Sequence, residues 1–310
     1  MSATGATAAA PPNTWVTWLA ALPRGMSEIF FQSNVWTGLL ILAAFVVADW
    51  EMAVLALLGT IASTLAGAAL KVGADSIRIG MQGFNGALIG AAVYTAMGGQ
   101  GWSYVLTIVG GILTAPVAWF LVWLFGRRPL ERFGLPSTTA PFCAVAGIIY
   151  VSTTSLHVSS SPVHTTDGTG ESVLRSLLAN VSEVVLVNSV WAGALILLGL
   201  FIASWKVGVA AVMGSVIGSL CALALGETDA TIAEGLAGYS GVLTAIALSV
   251  VFLRSSTASW VYAGVGAAIT AVTTLVMTDL TDQPHYTWPY ILTTWVLLVV
   301  AGFIPVLKRP

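Results

Sequence analysis

The sequence predicts an all-α integral membrane protein of two inverted homologous halves, each with five crossing helices and one half-spanning re-entrant helix. Three observations carry this. Of 310 residues, 57% are apolar and only 8% are charged. An average soluble domain is about a quarter charged, so this chain cannot clothe a water-facing surface. The apolar stretches are long and continuous, as in helices, and lack the short alternating pattern of a membrane barrel. The two halves also repeat in register. The same numbers exclude other classes. Eleven Lys+Arg against thirteen Asp+Glu leave a net charge of −2, which offers no basic face to nucleic acid. The hydrophobicity excludes disorder.

The elements follow in order. Residues 1–14 are Ala-rich and uncharged with Pro11-Pro12. They lack the basic region of a secretory signal and read as a flexible tail. The first half, 15–154, holds six apolar segments, roughly 15–31, 36–48, 52–70, 84–97, 103–125 and 138–153. A polar linker, 155–176, is rich in Ser, Thr and Gly and carries His157 and His164; it reads as a solvated loop. The second half, 177–310, mirrors the first. Cys143 and Cys221 lie in apolar runs and read as small core residues, neither a disulfide nor a metal site.

The repeat has an offset of 155 residues. Ser27-Glu28 returns as Ser182-Glu183, Val35-Trp36-x-Gly38 as Val190-Trp191-x-Gly193, and Trp50 as Trp205. Gly83, Gly86 and Leu88 return as Gly238, Gly241 and Leu243. Later the offset becomes 148, where Thr139-x-Pro141 matches Thr287-x-Pro289. Internal duplication points to a transporter or channel with its site between the repeats.

Charge predicts the topology. If the first or second segment of each half does not cross, Lys71, Arg78, Arg127, Arg128, Arg132, Lys206, Arg254, Lys308 and Arg309 share one side, with Arg24 beside them. Arg175 alone falls opposite, with the acidic loops. By the positive-inside rule, this predicts ten crossings, two half-spanning helices and both termini in the cytoplasm.

Three matched polar or aromatic pairs mark a candidate site. Glu28 and Glu183 are ionisable groups inside apolar stretches, which cost a few kcal/mol unless they face a cavity or a partner. Snorkelling at a headgroup boundary is the bland alternative. Thr139 and Thr287 each precede a proline by two residues. Such a hydroxyl donates and accepts, or it starts a helix. Phe84 with Leu88, and Tyr239 with Leu243, each put an aromatic and a leucine on one helical face. They form either a flat apolar slot or a packing seam lined by glycines. Acceptors at both ends, hydroxyls in the middle and aromatic walls between suit a small planar solute rich in N–H donors. Urea is one such solute among many.

Three runs sharpen this: Arg24-Gly25-Met26-Ser27-Glu28-Ile29-Phe30-Phe31-Gln32-Ser33-Asn34, Gly83-Phe84-Asn85-Gly86-Ala87-Leu88 and Leu135-Pro136-Ser137-Thr138-Thr139-Ala140-Pro141-Phe142. Each has a counterpart in the second half. Together they resemble the urea transporter family, its bacterial-type channels in particular, from about residue 15 to 305. The resemblance implies two inverted halves, a homotrimer embedded in membrane lipid with one pore per protomer, and passive urea transport. It implies no enzyme activity, cofactor, metal or nucleic-acid partner. It assigns Glu28 and Glu183 to the mouths and Thr139 and Thr287 to the centre. Phe84, Leu88, Tyr239 and Leu243 become slot walls, joined by Phe31 and Val184. Tyr239 departs from the family, where Phe is common, and both mouths carry Glu where Gln is frequent. The expected setting is the cell (inner) membrane. The alternative is a channel or proton-coupled transporter for another small polar solute, such as a short amide, ammonia or water. An ammonium channel would need paired intramembrane histidines, and no histidine here lies deep in an apolar segment.

Overall fold

The computed structural model describes residues 14–158, 168–281 and 283–310. The expected tail therefore lies outside the described residues apart from Thr14, and so does the middle of the linker with His164. The described chain is helical, with no strand. The first series is α1 (Thr14–Ser27), α2 (Val35–Ala48), α3 (Trp50–Ala69), the short α4 (Ala74–Arg78), α5 (Phe84–Met97), α6 (Gly101–Phe125) and α7 (Ala140–Ser152). The second is α8 (Thr169–Glu183), α9 (Val190–Ala203), α10 (Trp205–Ala224), the short α11 (Asp229–Ala233), α12 (Tyr239–Ile246) with a π-helical turn at Ala247–Val251, α13 (Thr257–Leu280) and α14 (Trp288–Ala301). The series correspond one to one. Helices α2 and α9 have 14 residues each, and α3 and α10 have 20 each.

Crossing hydrocarbon takes about 20 residues. Among the described residues, α3, α6, α10 and α13 are long and apolar enough to cross alone. The segment Trp15–Phe30 followed by Val35–Ala48 passes the same test as a pair bent by 79°. The remaining apolar helices, α5, α7, α9, α12 and α14, are shorter.

The burial pattern is that of a protein in lipid. Large apolar side chains face outward: Trp191 is 76% exposed and Trp36 67%. Small hydroxyls face inward, among them Thr60, Thr64, Thr270 and Thr274. These four satisfy themselves by donating to the carbonyl one turn back, at 2.7–2.8 Å. Between helices, Ser63 meets Thr114 at 3.0 Å, and Asn180 Nδ2 donates to Ser215 Oγ and Ser219 Oγ at 3.0 and 2.9 Å. Such bonds hold helices together where lipid supplies no hydrophobic drive. The two halves share one core, which includes Ile41 and Phe45 of α2 with Ile196 and Leu200 of α9. Thr37 Oγ1 donates to Gly199 O at 2.7 Å across the same seam.

The same inside-out pattern corrects the linker. Residues 169–176 form the first turns of α8, where a loop was expected. Ser172 and Ser176 are buried, whereas Leu174 is 70% exposed. The polar face turns toward the protein, so its composition reads as a loop while its spacing is helical.

Two equivalent glycines set the approach of α1 to α2 and of α8 to α9. A Cβ on Gly38 would stand 1.7 Å from Pro23 O, and one on Gly193 would stand 2.1 Å from Leu178 O. Both obstacles are backbone. Gly38→Ala is therefore expected to destabilise the fold by at least about 1–3 kcal/mol, read as a lower melting temperature in detergent. Gly147→Ala in α7, where a Cβ meets nothing within 4 Å, should leave it unchanged.

Candidate functional site

The site is built on two chain reversals. After Ser27 the chain makes a 3-10 turn over Glu28–Phe30 and stops at Phe31, a left-handed residue with φ 62°. Phe31 N–H donates to Glu28 O at 2.9 Å, and Gln32 N–H to Ser27 O at 3.1 Å. Ser27 Oγ donates to Arg24 O at 2.8 Å and accepts from Asn34 N–H at 3.0 Å. Asn34 then caps α2, accepting from Thr37 N–H at 3.1 Å. The second half repeats each step. Leu186 has φ 63°, and its N–H donates to Glu183 O at 2.9 Å. Ser182 Oγ donates to Ala179 O at 3.2 Å and accepts from Ser189 N–H at 3.4 Å. The recurrent Ser-Glu pair thus divides its labour: the serine builds the turn, and the turn presents the glutamate.

Glu28 faces a cavity of about 460 Å³ that also touches Phe31, Phe84, Thr138, Thr139 and Phe252 of the second half. Phe31 and Phe252 meet edge to face at 5.6 Å. At the inner end, the buried Thr139 Oγ1 lies 2.6 Å from Thr287 Oγ1, and Cys143 Sγ lies 3.1 Å from the same oxygen. The two Thr-x-Pro elements are thereby joined across the repeat. Each proline sits in the first turn of its helix, where no donor is lost. Asn85 fixes the first element, its Oδ1 accepting from Phe142 N–H at 3.1 Å.

Glu183 faces a second cavity, about 760 Å³, with Asp49, Tyr94, Leu186 and Asn188. Asn188 Oδ1 accepts from Arg175 at 3.0 Å, and its Nδ2 donates to Glu234 O at 3.2 Å. A neighbouring space of about 600 Å³ holds His157, His285 and Tyr286. Burial lowers the His285 pKa below the ordinary histidine value. The His157 ring packs on Tyr150 at 4.3 Å. Glu28 and Glu183 are both half-buried, and among the described residues neither has an ion-pair partner.

The structure does not bring every expected residue to a cavity. Leu88 and Leu243 are fully buried, and Val184 is packed in the core at 1% exposure. Leu186 stands equivalent to Phe31 at the offset of 155 residues and shares its left-handed backbone. Tyr286 likewise matches Thr138 at the offset of 148, with φ 45° against 48°. Phe252 carries no sequence signal of its role. Tyr239 and Thr287 line none of the three cavities.

A helical membrane protein with a carboxylate in each of two cavities, one of them reaching a buried hydroxyl pair shared by equivalent elements, has the parts of a small-solute transporter. The comparisons agree. A family model described as urea transporter matches residues 19–302, and the chain belongs to the urea transporter family. Among curated relatives, Urea transporter 1 of Rattus norvegicus is 29% identical over 298 residues, covering 92% of this chain and 78% of the relative. Urea transporter 1 of Capra hircus is 28% identical over 294 residues, covering 89% and 75%. The chain is accordingly a multi-pass membrane protein.

Asn85→Ala tests the frame around the threonines. It leaves Phe142 N–H buried without a partner, which costs about 1–3 kcal/mol. The expected outcome is a lower melting temperature in detergent; an unchanged one contradicts the assignment.

Proposed function

We propose that this protein passes urea passively across the membrane through a path between its two halves. The observation that carries the reading is the 2.6 Å contact of Thr139 with Thr287. It joins equivalent elements of the two halves at one point, which the Glu28 cavity reaches at Thr139, and the proposed path continues from there toward the Glu183 cavity. Family membership supports urea as the solute.

The proposed path follows the chemistry of the side chains. Urea has four N–H donors, one carbonyl and no charge. At a mouth, Glu28 or Glu183 accepts its N–H groups in place of water. Phe31 and Phe84 pass it edge-on, as does Tyr239 on the other side, with Leu88 and Leu243 behind the slots. Val184 supports the second mouth from the core, beside Leu186. The threonine pair offers a donor and an acceptor at the midpoint. No site binds tightly, because a deep well would slow exit.

The halves, residues 15–154 and 177–310, are proposed to run in opposite senses, with the linker between them. Each would contribute five crossings and one half-spanning helix, both termini being cytoplasmic. Three features support this: the charge asymmetry, the one-to-one helix series and the 79° bend after Phe30. The Glu28 cavity is also bordered by Gly126 and Glu131, in the loop that carries Arg127, Arg128 and Arg132. The Glu183 cavity is bordered by Asp49, with Arg175 adjoining. The assembly proposed is a homotrimer in the lipid of a bacterial inner membrane. The unpaired carboxylates favour one alternative, proton-coupled transport of a small polar solute such as a short amide.

Urea efflux from proteoliposomes tests the site. Glu28→Ala with Glu183→Ala should slow flux about tenfold or more, since a hydrogen bond to a charged group is worth about 1.5–3 kcal/mol. Thr139→Val should slow it less, about two- to tenfold, because it removes one neutral hydroxyl and keeps shape. Unchanged flux in the double variant would contradict the acceptor role.

A further inference from the structure

The residues that open α5 and α12 differ in one hydroxyl oxygen. In the first half, Phe84 opens α5 and lines the Glu28 cavity. At the equivalent place in the second half, Tyr239 opens α12. Its hydroxyl donates to the backbone carbonyl of Tyr286, the residue before Thr287. Phe84 has no hydroxyl to give. The Tyr286 ring in turn packs edge-on against Phe142 of α7, with centroids 5.1 Å apart.

These contacts lie where the way through is closed. From the Glu28 side, open space reaches Thr139. On the other side, the Glu183 cavity reaches Leu186, and a neighbouring space that shares Leu186 with it reaches Tyr286. Tyr239 and Thr287 border neither space, and Tyr239 is 7% exposed. Tyr286 thus borders the space on that side, while Tyr239 and Phe142, which contact it, line none of these cavities.

We propose that Tyr239 is the latch of the second slot: its hydroxyl, bonded to the Tyr286 carbonyl, holds the passage shut on the Glu183 side and makes that slot the narrower of the two. A hydrogen bond in a low-dielectric interior is stronger than one in water, so the ring turns aside only when the bond breaks. The bond also occupies one lone pair of a carbonyl beside the centre, which removes an acceptor that a solute N–H would use. This inference rests on the path proposed above and adds to it a barrier set by one side chain.

The experiment is osmotic water permeability of proteoliposomes, measured by shrinkage in an impermeant osmolyte, with urea efflux measured on the same vesicles. Water reads the opening without assuming that urea is the solute. Tyr239→Phe keeps the ring and copies Phe84, so the fold is retained. It should raise water permeability at least about threefold, since only the hydroxyl bond is lost. Tyr262→Phe removes another hydroxyl, which donates to Leu297 O at 2.8 Å, and should leave permeability unchanged. Unchanged or lowered water permeability in Tyr239→Phe overturns the latch, as does an equal rise in Tyr262→Phe. A water rise confined to Tyr239→Phe while no protein passes urea upholds the latch and overturns the urea reading.

Discussion

Hydrocarbon offers a peptide group no hydrogen-bond partner, so non-helical backbone at membrane depth must be satisfied from within or must line a cavity. The two reversals after Ser27 and Ser182 obey this rule, and the rest of the site depends on them. In each, one serine hydroxyl, one left-handed residue and one polar cap close the turn. Holding Phe31 and Leu186 in left-handed backbone costs about 1–3 kcal/mol apiece, and the turn hydrogen bonds offset it. What the turn gains in exchange is a half-buried carboxylate at the head of each cavity.

The halves are alike in plan and unlike in detail. Gly25 lets α1 approach Gly83 closely, whereas at the equivalent place Asn180 reaches across to Ser215 and Ser219. Asn85 ties α5 to α7, while the side-chain hydroxyl of its counterpart Ser240 makes no such tie. One half is thus held by close backbone packing and a bridging amide. The other is held by a hydroxyl network around Asn180. The polar bonds are unequal, and so are the aromatic slots.

Much of this was legible because membrane helices state themselves plainly. The expected segment 84–97 coincides with α5, 36–48 falls within one residue of α2, and 103–125 within two of α6. Register in the repeat singles out Glu28, Glu183, Thr139 and Thr287 from the sequence alone. Three things stayed hidden. The start of α8 reads as a loop because its polar face points inward, against the soluble habit. The left-handed backbone that Leu186 shares with Phe31 is not revealed by composition. The Tyr239–Tyr286 bond and the place of Phe252 are tertiary, created when α12 and the turn after it pack beside the two Thr-x-Pro elements.

The central claim is that the two carboxylates serve as fixed acceptors along a passive path. The most direct measurement is stopped-flow urea efflux from proteoliposomes with and without an imposed pH gradient. The account predicts fast flux, saturable only at high urea, that is the same under both conditions. Flux that follows the pH gradient would contradict it, because Glu28 and Glu183 would then carry protons.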